Sequence, residues 1–290
     1  MAQYFVSPTG SDQANGSEQT PWKTLRAAGE RASGHEVVVA PSTYREPIPR
    51  RSGIHWKSRE PLQAILDGGE PAGSGWQKDA QGTWSKPWTK QPLGAFQGTL
   101  EQNGKNACFF WRIYNQHNAN PMLDINPADP ATQFHLKGGR LYLRTVGGVD
   151  PQAGGVVIAV QNVAVDLDGC SNVTVEGFLT RHHGSAVGTS NGRNVRLIDC
   201  DFGYFGKTGV WLTKLTASSM VRCRVQGCGN WAGHYEDNIH VSEGDGVLIQ
   251  ECAVSWGGHS GVICLGVRNL RLEKNILENL GGSGFTLKQG

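Results

Sequence analysis

The stretch Asn172-Val-Thr-Val175 decides the fold, because close copies of it return along the chain. The copies are Asn194-Val-Arg-Leu197, Gly246-Val-Leu-Ile249 and Asn269-Leu-Arg-Leu272, with a weaker one at Ser218-Ser-Met220. Each copy alternates polar and apolar residues, as a short strand with one buried face does. Self-similarity at a steady period indicates an architecture of stacked units.

A column of residues gives the length of the repeat. Three positions after the second apolar residue of each copy come Phe178, Cys200, Cys223, Cys252 and Asn275. Their spacings are 22, 23, 29 and 23 residues. A coil of about 22 residues with three short strands is typical of a parallel β-helix, in which equivalent strands pair about 4.8 Å apart. We therefore predict an all-β, right-handed parallel β-helix whose stacked cysteines are buried, reduced thiols.

Composition agrees with such a solenoid and excludes several functions. Glycine accounts for 40 of 290 residues, which suits a fold with many tight turns. The net charge is +2, so we expect no nucleic-acid partner and no attraction to an anionic membrane. No apolar run is long enough to span a bilayer. The seven cysteines show no spacing of the zinc-binding type.

We divide the chain into three parts. Residues 1–69 form an N-terminal cap and the first coils, residues 70–150 an antiparallel β insertion, and residues 151–290 the main coils. A solenoid needs a cap over its exposed end. We predict a capping helix over residues 21–32, with Thr20 as its N-cap.

The insertion is predicted from a change of pattern. Lys137-Gly-Gly-Arg140 separates two short apolar stretches, which indicates a hairpin. The insertion also holds four tryptophans that we expect to form its core: Trp76, Trp84, Trp88 and Trp111. At the other end of the chain no capping element follows Leu287. We expect either a longer native protein or self-association through this C-terminal end.

Several segments resemble one class of enzymes. They are Tyr4-Phe-Val-Ser-Pro-Thr-Gly-Ser11, Pro21-Trp-Lys-Thr-Leu25, Val37-Val-Val-Ala-Pro-Ser-Thr-Tyr44, Gly139-Arg-Leu-Tyr-Leu-Arg144 with Gly147-Gly-Val-Asp-Pro151, and Val173-Thr-Val-Glu-Gly177. Together they resemble β-helix glycoside hydrolases of the β-xylosidase and fucosidase/xylanase kind, and more loosely pectate-lyase-like lyases. The resemblance implies a polysaccharide or oligosaccharide substrate and an extracellular or periplasmic location. It carries over no catalytic motif, and the N-terminus shows no secretory signal.

Candidate catalytic residues come from the register of the coils. Counting back three positions from the strands that begin near Ala186, Val210, Ile239 and Val262 gives one titratable residue per coil: His183, Lys207, Glu236 and His259. Stacked coils would place these four groups in a line at intervals of about 4.8 Å. Asp237 follows Glu236 and completes the candidate catalytic set.

Candidate binding residues surround this line. The third coil contains an insertion that places His234 and Tyr235 before Glu236, and an enlarged polar turn favours a site. Trp211 and His240 occupy the next outward column, where an indole could stack on a sugar. Three further residues complete the predicted binding set: Arg181, Glu243 and Trp256.

No metal is required by these residues, although calcium remains an alternative. Asp166-Leu-Asp168 and Asp199-Cys-Asp201 place pairs of carboxylates on one side of a strand, where they could hold Ca²⁺ or cap turns.

Three functions fit this arrangement. Glycosidic hydrolysis needs two carboxyl groups, about 5–5.5 Å apart for retention or 6.5–9.5 Å for inversion, and Glu236 and Asp237 are available. A polysaccharide lyase needs a base and cations that neutralise a uronate. The predicted set offers such groups: His183, Lys207, His259, Arg181 and Tyr235. A non-catalytic glycan-binding or adhesin-like solenoid would use the same polar line as a groove. We place hydrolysis first.

Overall fold

The computed structural model describes residues 2–102, 105–111, 133–227, 236–257 and 259–288, with the backbone alone for residues 98–102, 105–111, 133 and 146. Within these ranges the chain coils into the predicted parallel β-helix. Three parallel sheets, called A, B and C, run along the axis, and in each sheet the strands pair in chain order. The coil proceeds from sheet A to sheet B and then to sheet C.

The strands of the three sheets are short. Sheet A contains Gln3–Val6, Glu36–Val39, His55–Ser58, Ser171–Glu176, Arg193–Ile198, Ser219–Val221, Leu248–Gln250 and Arg271–Glu273. Sheet B contains Ser42–Tyr44, Ala64–Asp67, Leu179–Arg181, Asp201–Gly203, Arg224–Gln226, Ala253–Ser255 and Ile276–Glu278. Sheet C contains Gln161–Asp166, His183–Ser190, Val210–Thr213, Ile239–Ser242, Val262–Leu265 and Phe285–Lys288.

The register of sheet A confirms the repeat found in the sequence. Val175 pairs with Leu197, which pairs with Met220, and the line continues through Ile249 to Leu272. The first four side chains of this line are fully buried. Stacked apolar side chains of this kind form the continuous core of the solenoid.

The cysteine column is present as predicted. Cys200, Cys223 and Cys252 are buried free thiols, and Asn275 follows them on the next coil. Burial raises the pKa of Cys223 well above its ordinary value, which keeps the thiol protonated. Asn275 bonds along the stack, because its Oδ1 accepts from Cys252 N–H at 2.9 Å and its Nδ2 donates to Ile249 O at 2.9 Å. Of the other predicted thiols, Cys228 and the side chain of Cys108 lie outside the described residues.

The N-terminal helix is shorter than predicted. It spans Leu25–Arg31, whereas the sequence predicted residues 21–32, and its N-cap is Thr24, whose side chain accepts a backbone hydrogen bond within the first turn. The helix starts later because Trp22 forms a parallel bridge with Val6 and is therefore extended. The buried face of the helix joins the main core, as expected of a cap.

The antiparallel pairing predicted from the sequence is also present. Sheet D contains Gly69–Pro71, Gly94–Gln102, Lys105–Trp111 and Val157–Ala159, sheet E contains Gln77–Lys78, Trp84–Pro87, Gln133–Lys137 and Arg140–Arg144, and a 3₁₀ turn spans Val146–Gly148. Gly138 and Gly139 both have positive φ, as the tight turn of the predicted hairpin requires.

A separate cluster provides the apolar core beside these sheets. Trp76 is buried in this cluster, and Trp84 and Trp88 pack against it, so these three have the core role predicted for them. The side chain of Trp111 lies outside the description. No helix in the described ranges is long and apolar enough to cross a membrane.

Left-handed backbone turns the chain between sheets A and B. From Gly177 onward the corner residue of each coil has positive φ, and these residues form a column: Gly177, Asp199, Arg222, Glu251 and Lys274. From Asp199 onward the charges alternate along the column. Arg222 binds Asp199 through two hydrogen bonds of 2.7 Å, and Lys274 lies 4.0 Å from Glu251. Adjacent coils therefore contact each other through opposite charges at this corner.

We expect charge reversal at this corner to destabilise the stack. Asp199→Arg would place two guanidinium groups on neighbouring coils, and we expect the Tm to fall by roughly 2 °C, since surface ion pairs contribute little each. Asp199→Arg combined with Arg222→Asp should restore the Tm, because the pair is re-formed in reverse. Asp199→Asn is the control, since asparagine tolerates positive φ. An unrestored double variant would contradict the role of charge alternation.

Candidate functional site

The candidate site forms where the turn from sheet B enters sheet C. Val210, Ile239 and Val262 pair in register, so the residues two and three positions before them also stack. Backbone hydrogen bonds continue this register into the turns that precede the strands. Gly209 N–H donates to Asp237 O, and Asn238 N–H donates to Ser260 O, both at 3.1 Å. Two adjacent columns result, one of Lys207, Glu236 and His259 and one of Thr208, Asp237 and Ser260.

Asp237 is the most enclosed carboxylate of this site. Its side chain is 3% exposed, and its Oδ1 lies 2.8 Å from His259 Nδ1. The same oxygen accepts the Ser260 N–H at 3.2 Å, and Oδ2 lies 3.6 Å from His240 Nδ1. A buried carboxylate is costly unless hydrogen bonds and opposite charge compensate it. Two imidazoles and one backbone N–H provide that compensation here.

Glu236 is bound by a residue of the preceding coil. Its Oε2 accepts hydrogen bonds from Thr208 N–H and Thr208 Oγ1, both at 2.6 Å. Thr208 belongs to the coil before Glu236, whereas Ser260 and His259 belong to the coil after it. The two neighbouring carboxylates are thus directed to opposite coils, and those coils lie about 9.6 Å apart.

An aromatic side chain borders the carboxylates. Trp211 and His240 are paired neighbours in sheet C, and their ring centroids are 4.4 Å apart at 38°. Both side chains are partly buried. His240 therefore contacts the indole with one face of its ring and approaches Asp237 with Nδ1, which joins the predicted outward column to the carboxylate cluster.

His183 does not belong to the titratable column. It pairs with Gln161 and bridges to Phe205, whereas the column prediction required it to align with Lys207. The register predicted for this coil was wrong by one residue, because Val187, not Ala186, pairs with Val210. His183 is completely buried, and burial lowers its pKa to about 4. Neither ring nitrogen meets the geometry of a hydrogen bond to any residue that the structure describes.

Arg181 belongs to a second charged cluster that the sequence did not indicate. Asp67 lies at its centre, 3.0 Å from His182 Nδ1, 3.3 Å from Arg45 Nη1 and 3.4 Å from Arg181 Nε. Burial would raise the pKa of Asp67, but the hydrogen bond and charge of His182, the Gly69 N–H and Arg45 outweigh it and lower that pKa to about 2. Aligning residues 64–67 with Leu179–Arg181 as successive coils could have found this cluster.

The remaining predicted residues make no contact with the two carboxylates among the described residues. Glu243 lies at the far end of its strand, where it pairs with Lys214 at 3.5 Å. Trp256 lies at the corner that ends sheet B and is 42% exposed. His234 and Tyr235 fall outside the described residues.

Two contributors to the site were not predicted, Thr208 and Ser260, because hydroxyl residues carry no distinctive signal in a sequence.

The aspartates proposed as calcium ligands all have arginine partners. Asp166 and Asp168 pair with Arg50, Asp199 pairs with Arg222, and Asp201 pairs with Arg224. Among the described residues no group of three or more His, Cys, Asp or Glu side chains is arranged to hold a metal ion. Calcium binding stays an untested prediction, and these carboxylates already have cationic partners.

Comparison with known proteins agrees with this architecture. Residues 163–290 match the family model described as a right handed beta helix region. The chain has the right-handed β-helix fold. No curated protein matches the chain in sequence. The handedness and the parallel coils predicted from the repeat are therefore confirmed.

Solved structures of the same fold include carbohydrate-active proteins. One is XylC in complex with xylose, with 16% identity and a TM-score of 0.66, where the match covers 97% of this chain and 63% of XylC. Another is a rhamnogalacturonan lyase, with 12% identity, a TM-score of 0.52, and coverage of 100% and 63%. This chain thus spans less than two thirds of the length of either protein. At these identities the likeness shows the fold alone.

We expect the Asp67 cluster to contribute to acid stability. The pKa of Asp67 is about 2 in the folded protein against 3.8 ordinarily, so the carboxylate stabilises the fold by about 2 kcal/mol above pH 4. That contribution is lost as the pH falls from about 4 towards 2. Asp67→Asn should therefore lower the Tm at pH 6 and lose most of this deficit at pH 2.5. A deficit that is equal at both pH values would contradict the assignment, and Asp199→Asn is the control.

Proposed function

We propose that this protein hydrolyses glycosidic bonds of a polysaccharide or oligosaccharide, with Glu236 and Asp237 as the two carboxylates. The support comes from their geometry. The two residues are adjacent in sequence, but different coils bind their side chains. Thr208, on the coil before, binds Glu236, and His259, on the coil after, binds Asp237. These two coils lie about 9.6 Å apart. Each carboxylate is thus fixed by a partner on a different coil, and this supports assigning the two groups separate roles.

The proposed roles follow from exposure and contacts. His259 is 28% exposed, whereas its partner Asp237 is 3% exposed, so His259 is the end of the pair that substrate can reach. We assign His259 to proton transfer with the glycosidic oxygen, with Asp237 orienting its ring and stabilising its charged form. Glu236, fixed by Thr208, stabilises positive charge at the anomeric carbon and accepts a proton from the water that forms the new bond there, while His259 donates a proton to the departing oxygen. Trp211 offers an apolar ring beside them.

Elimination is the second candidate, because Lys207 stacks in one column with Glu236 and His259. In a lyase His259 would remove the proton next to a uronate carboxylate, and Lys207 would balance the developing charge. The named sugars of the structural relatives suggest the first substrates to test: xylan for the relative bound to xylose, and rhamnogalacturonan for the lyase.

We expect Asp237→Asn and Glu236→Gln each to reduce the release of reducing ends by at least about 100-fold, which is the scale of a lost acid–base or electrostatic contribution. Both substitutions preserve side-chain volume, and a Tm measured beside the activity separates a loss of chemistry from a loss of folded protein. Glu251→Gln, at the corner between sheets A and B, is the matched control and should retain activity.

The products separate the alternatives. New reducing ends without ultraviolet absorbance of an unsaturated sugar indicate hydrolysis, whereas such absorbance on a uronate polymer indicates a lyase. Full activity in both carboxylate variants would overturn the assigned site. Glycan binding without turnover, unaffected by Glu236→Gln, would instead favour a non-catalytic solenoid.

A further inference from the structure

The corner that ends sheet B has an unusual composition. Its residues stack in one column and all have positive φ: His182 at 57°, Tyr204 at 64°, Gly227 at 72°, Trp256 at 55° and Asn279 at 55°. Each directly follows the last residue of a strand of sheet B, and these strands pair in register. Three of the five are aromatic, although left-handed backbone favours glycine and asparagine.

Other corners of the same coils provide an internal comparison. The corner between sheets A and B contains Gly177, Asp199, Arg222, Glu251 and Lys274, the corner that opens sheet A contains Asn172, Asn194, Ala217, Gly246 and Asn269, and the corner that ends sheet C contains Gly169, Asn191, Lys214, Glu243 and Gly266. All fifteen have positive φ and none is aromatic. The left-handed corner therefore does not itself require an aromatic residue, and the column after sheet B differs for another reason.

Packing explains two of the three aromatics. The rings of His182 and Tyr204 stack at 6.3 Å and 19°, and Phe96 lies 5.2 Å from His182 on its other side. Trp256 has no such ring neighbour within the described residues, because the coil before it contributes Gly227 and the coil after it contributes a polar residue. It is 42% exposed. An exposed tryptophan in left-handed backbone costs about 1–2 kcal/mol with little compensating burial.

The backbone around Trp256 is fixed to the candidate site. Asn238, the residue after Asp237, is buried, and its Nδ2 donates to Ser255 O at 3.0 Å. Within the described ranges its Oδ1 has no hydrogen-bond partner, and it lies against Gly257, where a Cβ would come within 1.8 Å of that oxygen. Asn238 therefore contacts both neighbours of Trp256 and links this corner to the turn that carries the carboxylates.

We infer that Trp256 is a stacking platform for a pyranose ring of the substrate. This inference rests on the proposed function, because it adds a subsite to that cleavage site three residues before His259. The ligand class is a sugar unit with an apolar C–H face, which an exposed indole binds well.

The decisive variant is Trp256→Asn, because it separates binding from stability. Asparagine suits left-handed backbone, so the Tm should stay equal or rise. The affinity for soluble xylan or rhamnogalacturonan, whichever is the substrate, should fall about tenfold in affinity electrophoresis, a typical loss for a truncated aromatic anchor. KM should rise more than kcat falls. Trp256→Tyr should recover most of the affinity, and Lys274→Asn, another left-handed corner, should change neither.

The outcomes distinguish this inference from the proposed function. If Trp256→Asn keeps full affinity, or lowers the Tm by several degrees, the tryptophan has a structural role and the inference fails while hydrolysis stands. If the wild type binds a glycan through Trp256 without cleaving it, the platform stands and hydrolysis fails. If neither polysaccharide is bound or cleaved by the wild type, both are overturned.

Discussion

The in-register hydrogen bonding of successive coils is the constraint on which the rest of the structure depends. It brings residues 22, 23 or 29 positions apart to within about 4.8 Å of each other, so a scattered sequence becomes a set of columns. Apolar columns such as Val175, Leu197 and Met220 then form a continuous core. The same register aligns polar residues, and a ligand site needs no further long-range contact to be assembled.

The candidate site shows how such a column accommodates buried charge. Asp237 could not remain nearly inaccessible by itself, since an uncompensated carboxylate would cost several kcal/mol. The coil above supplies His259 and the Ser260 N–H, and the coil below supplies Thr208 to its neighbour Glu236. Each carboxylate is therefore fixed by a different coil. A single turn presents two acidic groups in divergent positions because its neighbours on the axis hold them apart.

The sequence predicted the columns that follow from the regular spacing of the coils. It did not predict the contacts between coils of unequal length. The cysteine column and the line of Lys207, Glu236 and His259 followed from spacing alone. His183 was misplaced because its strand begins four residues before Val187, whose pairing sets the register. Asp67 escaped notice because more than 100 residues separate it from its partner His182, so no period connects them.

The corner residues carry information that neither hydrophobic pattern nor charge pattern contains. Where the backbone is left-handed, glycine and asparagine satisfy the geometry, so any other residue reflects a second requirement. At the corner between sheets A and B that requirement is charge pairing between coils, seen in Asp199 and Arg222. At the corner after sheet B no ion pair or ring stack accounts for Trp256 within the described residues. Asn238 joins this corner to the turn that carries Asp237, and the proposed stacking role of Trp256 rests on that connection.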